Sequence, residues 1–153
     1  MASGLNSWKQ DGAVSLWRYT ENPRKFGGWH ITADSAGVAS LVTLINLLRQ
    51  SDPDQYRTIS ITAPSTRTLR VPNFQRGDAP TVSPDKWRIS LAPGTEDVWS
   101  FPVALDPAAL TVGGLYVAKL IAALEGIPRG EGDYSIGAGK GTTLSLWWQA
   151  GGT

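Results

Sequence analysis

Residues 36–48 read AGVASLVTLINLL. No charged side chain stands between Asp34 and Arg49, and the polar side chains inside the stretch are Ser40, Thr43 and Asn46. Their spacing of three keeps them on one narrow stripe of a helix, while Leu41, Val42, Leu44, Ile45 and Leu48 fill the wide remaining arc. A helix apolar over so much of its circumference is expected to be packed on most sides. It is too short to cross a bilayer, which needs about 20 apolar residues. The stretch therefore reads as the central buried helix of a single domain. Asp34 or Ser35 can cap its first free N–H groups, and Pro53 lies where it must stop.

The segments on either side alternate. Before the helix, residues 14–21 (VSLWRYTE) place Val14 and Leu16 on one face of a strand and Trp17 and Tyr19 on the other. After the turn at Asn22-Pro23, residues 29–32 (WHIT) make a second short strand. Beyond the helix, residues 56–63 (YRTISITA) set Ile59 and Ile61 opposite Tyr56, Thr58 and Ser60, and residues 66–71 read as a shorter strand. Residues 72–84, rich in Pro, Gly, Asn and Asp, read as the one long loop.

The second half repeats the alternation in residues 86–92 (KWRISLA). Residues 98–105 are extended, with Pro102 marking an edge or a bend. Asp106-Pro107 resembles a helix start, so a second helix is expected within residues 108–125, most securely 115–125 because Gly113-Gly114 weakens its first half. Gly126 fits the position just past its end. Residues 129–141 form a glycine-rich loop, and residues 142–149 the last strand.

These elements make an α+β fold: a mixed, largely antiparallel sheet with two main helices. Residues 1–153 fit a single domain behind a loose leader, residues 1–12. Trp17 to Trp29 and Trp87 to Trp99 are both twelve positions apart, and Trp17-Arg18-Tyr19-Thr20 echoes Trp87-Arg88-Ile89-Ser90. The echo suggests a duplicated β-β-α-β unit, with halves 13–72 and 85–149 joined by loop 73–84, folded into one sheet with both helices on a face. Function is then expected between the halves, or on the sheet face that the helices leave open.

Composition removes several function classes. There is no cysteine, so disulfides and thiolate metal sites are excluded. The net charge of +1 argues against a whole-domain drive towards nucleic acid. The charge is uneven: residues 1–76 carry nine Lys/Arg against five Asp/Glu, and residues 77–153 five against eight, so +4 faces −3. The first residues lack a secretory pattern and no run reaches membrane length, so a cytoplasmic location with no membrane partner is expected.

Candidate chemistry is sparse. His30 is the lone histidine, four residues before Asp34, and a histidine oriented by a carboxylate can act as a general base. No G-x-S-x-G context supplies a nucleophile, and no clustered His or carboxylate spacing suggests a metal. Residues 137–142 (GAGKGT) resemble a phosphate loop, but Tyr134 stands where the first glycine belongs and a strand follows, so no cofactor is expected.

Binding residues are better represented. Arg57, Arg67, Arg70 and Arg76 lie between Tyr56 and Gly77 with no carboxylate among them. Arginines on neighbouring strands hold carboxylates and phosphates bidentately, which points to a partner with an acidic surface. Tyr134 and Trp147 add aromatic contact area, and a strand points the consecutive Trp147 and Trp148 to opposite faces, so at most one enters the helix-packed core unless both faces are covered, and an exposed one would mark an interaction surface. The reading that fits best is a non-catalytic protein-binding module, such as a bacterial adaptor or a toxin-neutralising immunity protein. A small-molecule or carbohydrate binder using exposed Trp and Tyr is the alternative, and an enzyme relying on His30 and Asp34 the third.

Overall fold

The computed structural model describes residues 7–20, 28–50, 55–64, 80–92, 98–102, 108–130, 134–137 and 143–147. Helix α1, Ser35–Arg49, begins where Asp34 accepts a 2.7 Å hydrogen bond from the Gly37 N–H. The same carboxylate accepts from the Ala13 N–H at 3.0 and 3.1 Å through its two oxygens, tying the segment before the first strand to the helix start. Gly12 allows this approach. Its φ is +71°, and a Cβ there would lie 2.2 Å from the Gly37 nitrogen.

α1 buries Val38, Leu41, Leu44, Ile45 and Leu48, the 3.6-residue stripe. It is not packed on most sides as its sequence suggests, because Ser35, Ala36, Ala39 and Thr43 are exposed. Alanine is apolar in a sequence pattern but leaves little surface to hide, so it does not require a neighbour. Ser40, by contrast, is buried, its hydroxyl accepting from the Asp11 N–H at 3.0 Å while its carbonyl accepts from the Trp8 indole at 3.1 Å. Residues 8–12 of the expected loose leader are thus pinned to α1.

The strands are β1 (Val14–Tyr19), β2 (Trp29–Ala33), β3 (Tyr56–Ser60), β4 (Thr81–Val82), β5 (Lys86–Ala92), β6 (Trp99–Ser100), β7 (Ala108–Gly113), β8 (Tyr134–Ile136) and β9 (Leu144–Leu146). They form two sheets and not the single one expected, ordered β4-β1-β2-β9-β8 and β3-β5-β7-β6. Five of the seven described pairings are antiparallel, so the α+β, largely antiparallel class holds. Helix α2, Gly114–Gly126, follows β7 directly.

Residues 108–113 are strand, not the start of the second helix. Ala108, Leu110 and Val112 are buried and alternate with half-buried Ala109 and Thr111, and six residues pair in parallel with β5. That non-local ladder overrides the helical preference of Ala-Ala-Leu. Gly126 ends α2 inside the helix, a short 3₁₀ turn covers Ile127–Arg129, and the left-handed glycine is Gly130 at φ +74°. Two short strands also lie in segments read as loop: β4, which pairs with β1, and β8, which pairs with β9. The strand expected at residues 66–71 and most of loop 73–84 lie outside the described residues.

The sheets share a plan that the sequence echo does not follow. In each, four strands taken in chain order lie first-second-fourth-third, paired antiparallel, parallel and antiparallel: β1-β2-β9-β8 and β3-β5-β7-β6. The strand matching β5 is therefore β2, and Trp29-His30-Ile31-Thr32 stands against Trp87-Arg88-Ile89-Ser90. Trp29 and Trp87 both stack on Phe101, at 5.1 Å and 6.0 Å between centroids with interplanar angles of 16° and 8°. Around this stack the inner faces of both sheets and one side of each helix close a single core.

Candidate functional site

With their inner faces spent on that core, the two sheets differ in their outer faces. β1 alternates with period two, so Trp17 and Tyr19 point away from Leu16, and in β2 His30 points away from Trp29 and Ile31. Register sets Trp17 beside His30, and His30 beside Ser145 of β9. The His30 ring lies between Trp17 and Trp147, centroids 5.9 Å and 6.1 Å away and nearly parallel, with Tyr19 edge-on at 5.0 Å. The Trp147 indole N–H donates to His30 Nδ1 at 3.0 Å. Burial pushes the Tyr19 phenol above its ordinary pKa, an effect the Trp17 indole opposes.

This cradle is closed. His30, Trp17 and Tyr19 are 2%, 0% and 6% exposed, so its chemistry is turned inward. Nδ1 accepts a hydrogen bond, which leaves the neutral ring's proton on Nε2. Asp34, expected to orient His30, instead gives its carboxylate to the backbone amides of Gly37 and Ala13. Trp147 is half-buried, with its indole N–H on His30 and its carbonyl accepting from the Thr32 hydroxyl at 2.9 Å.

The second sheet turns a polar face outward. Tyr56, Thr58 and Ser60 of β3 are exposed on the side opposite Ile59, and Lys86, Arg88 and Ser90 of β5 lie opposite Trp87 and Ile89. Register assembles three rows across the strands: Tyr56–Ser90–Thr111–Ser100, then Thr58–Arg88–Ala109, then Ser60–Lys86. Ser90 and Thr111 share a 3.3 Å hydroxyl contact, and the Lys86 ammonium donates to the Ser60 hydroxyl at 3.0 Å.

Arg88 does not stand straight up from its strand. Its guanidinium carbon lies 4.4 Å from the centroid of the Tyr56 ring, on the neighbouring strand and one pair along. A guanidinium this close to a ring makes a cation–π contact, which engages its charge without using its N–H donors. Nε of Arg88 is buried and has no hydrogen-bond partner. The face carries two cations, Lys86 and Arg88, and no carboxylate among these rows. Tyr56, 47% exposed, is the large apolar side chain most open to solvent among the described residues.

No protein family model matches the chain, and no curated protein or solved structure was found to be similar to it. The residues therefore stand on their own geometry. Arg57, expected with the binding arginines, falls on the Ile59 side of β3, so it does not share a face with Arg88. Arg67, Arg70 and Arg76 lie outside the described residues. Tyr134 pairs with Leu146 through its backbone, and its side chain is likewise outside the description.

Arg88 and Lys86 were not among the sequence candidates. Their signal was present as alternation in two segments, polar at 56, 58 and 60 and at 86, 88 and 90. Nothing local said that these segments pair. Among the described residues no cluster of His, Asp and Glu could hold a metal ion, and no helix is long and apolar enough to cross a membrane.

Proposed function

We propose that this chain is a non-catalytic binding module that captures a protein partner with an acidic surface on the outer face of its second sheet. The observation that carries the reading is the Arg88 guanidinium, set 4.4 Å from the Tyr56 ring centroid, on a face with no carboxylate among its rows. An arginine held against an aromatic ring loses less rotamer freedom on binding, and bidentate contact with a carboxylate adds direction to charge. Tyr56 and Arg88 are also the residue types that anchor protein interfaces.

A protein of this kind works in the cytoplasm as an adaptor or a toxin-neutralising immunity protein, without a nucleic-acid or membrane partner. The carbohydrate reading has less support. A sugar platform needs an open ring face, whereas Tyr56 carries Arg88 and Trp147 is half-buried with its indole N–H held by His30.

The test is capture from the lysate of the source organism at low and moderate salt, comparing the wild-type chain with Arg88→Glu. A stoichiometric acidic protein held by the wild type, released by salt and not held by Arg88→Glu, is the expected result. Capture that ignores the reversal, or no capture at either salt, ends the reading.

A further inference from the structure

Among the described residues β3 is an edge strand, and its outer side shows how it can be read. The side-chain amide of Gln10 donates to the Ser60 carbonyl at 2.9 Å and accepts from the Ser60 N–H at 2.8 Å. Those two bonds are the pair that a neighbouring strand's backbone would make. They also fix the phase of the ladder. Because the backbone groups of Ser60 point outward, Ser60–Lys86 is a non-hydrogen-bonded pair of the β3–β5 ladder. By the alternation of an antiparallel ladder, Thr58–Arg88 and Tyr56–Ser90 are too. The N–H and C=O groups of Thr58 and Tyr56 therefore also point outward, and no described residue is bonded to them.

Arg88 stands beside the same strand. It is rooted on β5, opposite Thr58, and its guanidinium carbon lies 4.4 Å from the centroid of the Tyr56 ring of β3, so its charge sits next to this edge. We propose that an extended acidic segment of the partner protein adds to β3 as a further strand, bonding the backbone of Thr58 and Tyr56 and setting a carboxylate against Arg88. Strand addition takes its affinity from main-chain hydrogen bonds and its selectivity from alternate side chains. On this edge the alternate side chains on the outer face meet Arg88, Tyr56 and Thr58, so acidic residues at every second position are favoured. The proposal rests on the acidic-partner reading and adds the geometry of capture.

The experiment uses the full chain and a capped peptide of about ten residues alternating Glu and Val, a typical strand length. Two versions of it are N-methylated on one parity or the other, and a third replaces Glu by Lys. Hydrogen exchange of the Thr58 and Tyr56 amides is followed throughout. The expected result is rapid exchange of both amides in the free protein and slowing when the Glu peptide binds. One N-methylated version should bind at least about tenfold more weakly and the other close to the parent, since only one set of N–H groups faces β3. The Lys peptide should not bind.

Thr58→Pro gives a second arm, because it removes an outward N–H that no described residue uses. A folded Thr58→Pro protein should lose the Glu peptide. Slow exchange of Thr58 in the free protein would show the edge already occupied and overturn the proposal. Equal binding by both N-methylated peptides, still abolished by Arg88→Glu, would overturn strand addition while leaving the acidic-partner reading standing. Absence of binding by the Glu peptide to wild type overturns strand addition, and the lysate capture then decides the broader reading alone. Pairing of β3 with a second copy of the chain, seen as a dimer competing with the peptide, would also overturn it.

Discussion

The indole N–H of Trp147 donates to Nδ1 of His30 at 3.0 Å, while the two rings lie nearly parallel 6.1 Å apart. The pair joins β2 to the residue just after β9, whose backbone N–H also reaches the Ile31 carbonyl at 3.0 Å. His30 is thereby a positioned, buried acceptor. Trp147→Phe keeps an aromatic ring beside His30 but removes the donor to its buried Nδ1. The expected loss is about 1–3 kcal/mol in urea unfolding. In the wild type, nitrogen chemical shifts should show the proton on Nε2. A Trp147→Phe protein with an unchanged midpoint would mean that this bond contributes nothing.

Tyr19 gives the fold an alkaline limit. Burial raises its pKa above 10.0, so the folded state holds the neutral phenol while the unfolded chain ionises first. The Tyr19 contribution is whole below about pH 10, the unfolded tyrosine value, and is lost as pH rises from there through the folded value. Tyrosinate absorbance should show the Tyr19 phenol titrating late, together with unfolding. Tyr19→Phe should shift alkaline unfolding to higher pH. An unmoved alkaline midpoint would dismiss Tyr19 as its source.

Phe101 couples the two sheets through its stacks with Trp29 of β2 and Trp87 of β5. Phe101→Ala should cost about 3–5 kcal/mol, the usual price of emptying an aromatic core site. Phe101→Leu, which keeps much of the bulk but loses both ring stacks, should cost about 1–2 kcal/mol. Both variants should still melt in one transition, because the sheets share a core. Separate melting of two units would contradict that core.

At the start of α1, Asp34→Ala removes the cap and the tie to Ala13 together, and should cost about 1–2 kcal/mol in thermal or urea unfolding. Asp34→Asn should recover part of it, since its one carbonyl oxygen can still accept from Gly37 and Ala13 while its amide nitrogen cannot replace the second carboxylate oxygen at Ala13. Gly12→Ala should be worse than a surface substitution, because φ is +71° and the new methyl would meet the Gly37 nitrogen at 2.2 Å. Equal stability of Asp34→Ala and wild type would show that the helix start is held by packing alone.

Local signals located most elements. The Asp34 cap, the span of α1, the alternation in β1, β3 and β5 and the glycine break before α2 were all legible, because each depends on neighbours a few residues apart. The errors share one cause. Residues 108–113 have helical neighbours in sequence but a parallel partner in β5, and β4 and β8 are strands only because β1 and β9 lie beside them. The echo between Trp17 and Trp87 was real as letters, yet the strand that occupies the place of β5 in the other sheet is β2.

The same division runs through the candidate site. Residue order carried the class of the fold, the buried stripe of α1, the lack of thiol chemistry and the polar phase of β3 and β5, since period and composition are written along the chain. Strand pairing decided the rest. It brought Arg88 onto Tyr56 and turned Arg57 to the other side of β3. It also spent the Asp34 carboxylate on backbone amides and locked His30 between two tryptophans more than a hundred residues apart in sequence. A contact between distant segments depends on which strands meet and in which register, and register is set only when both faces of every strand find their burial at once.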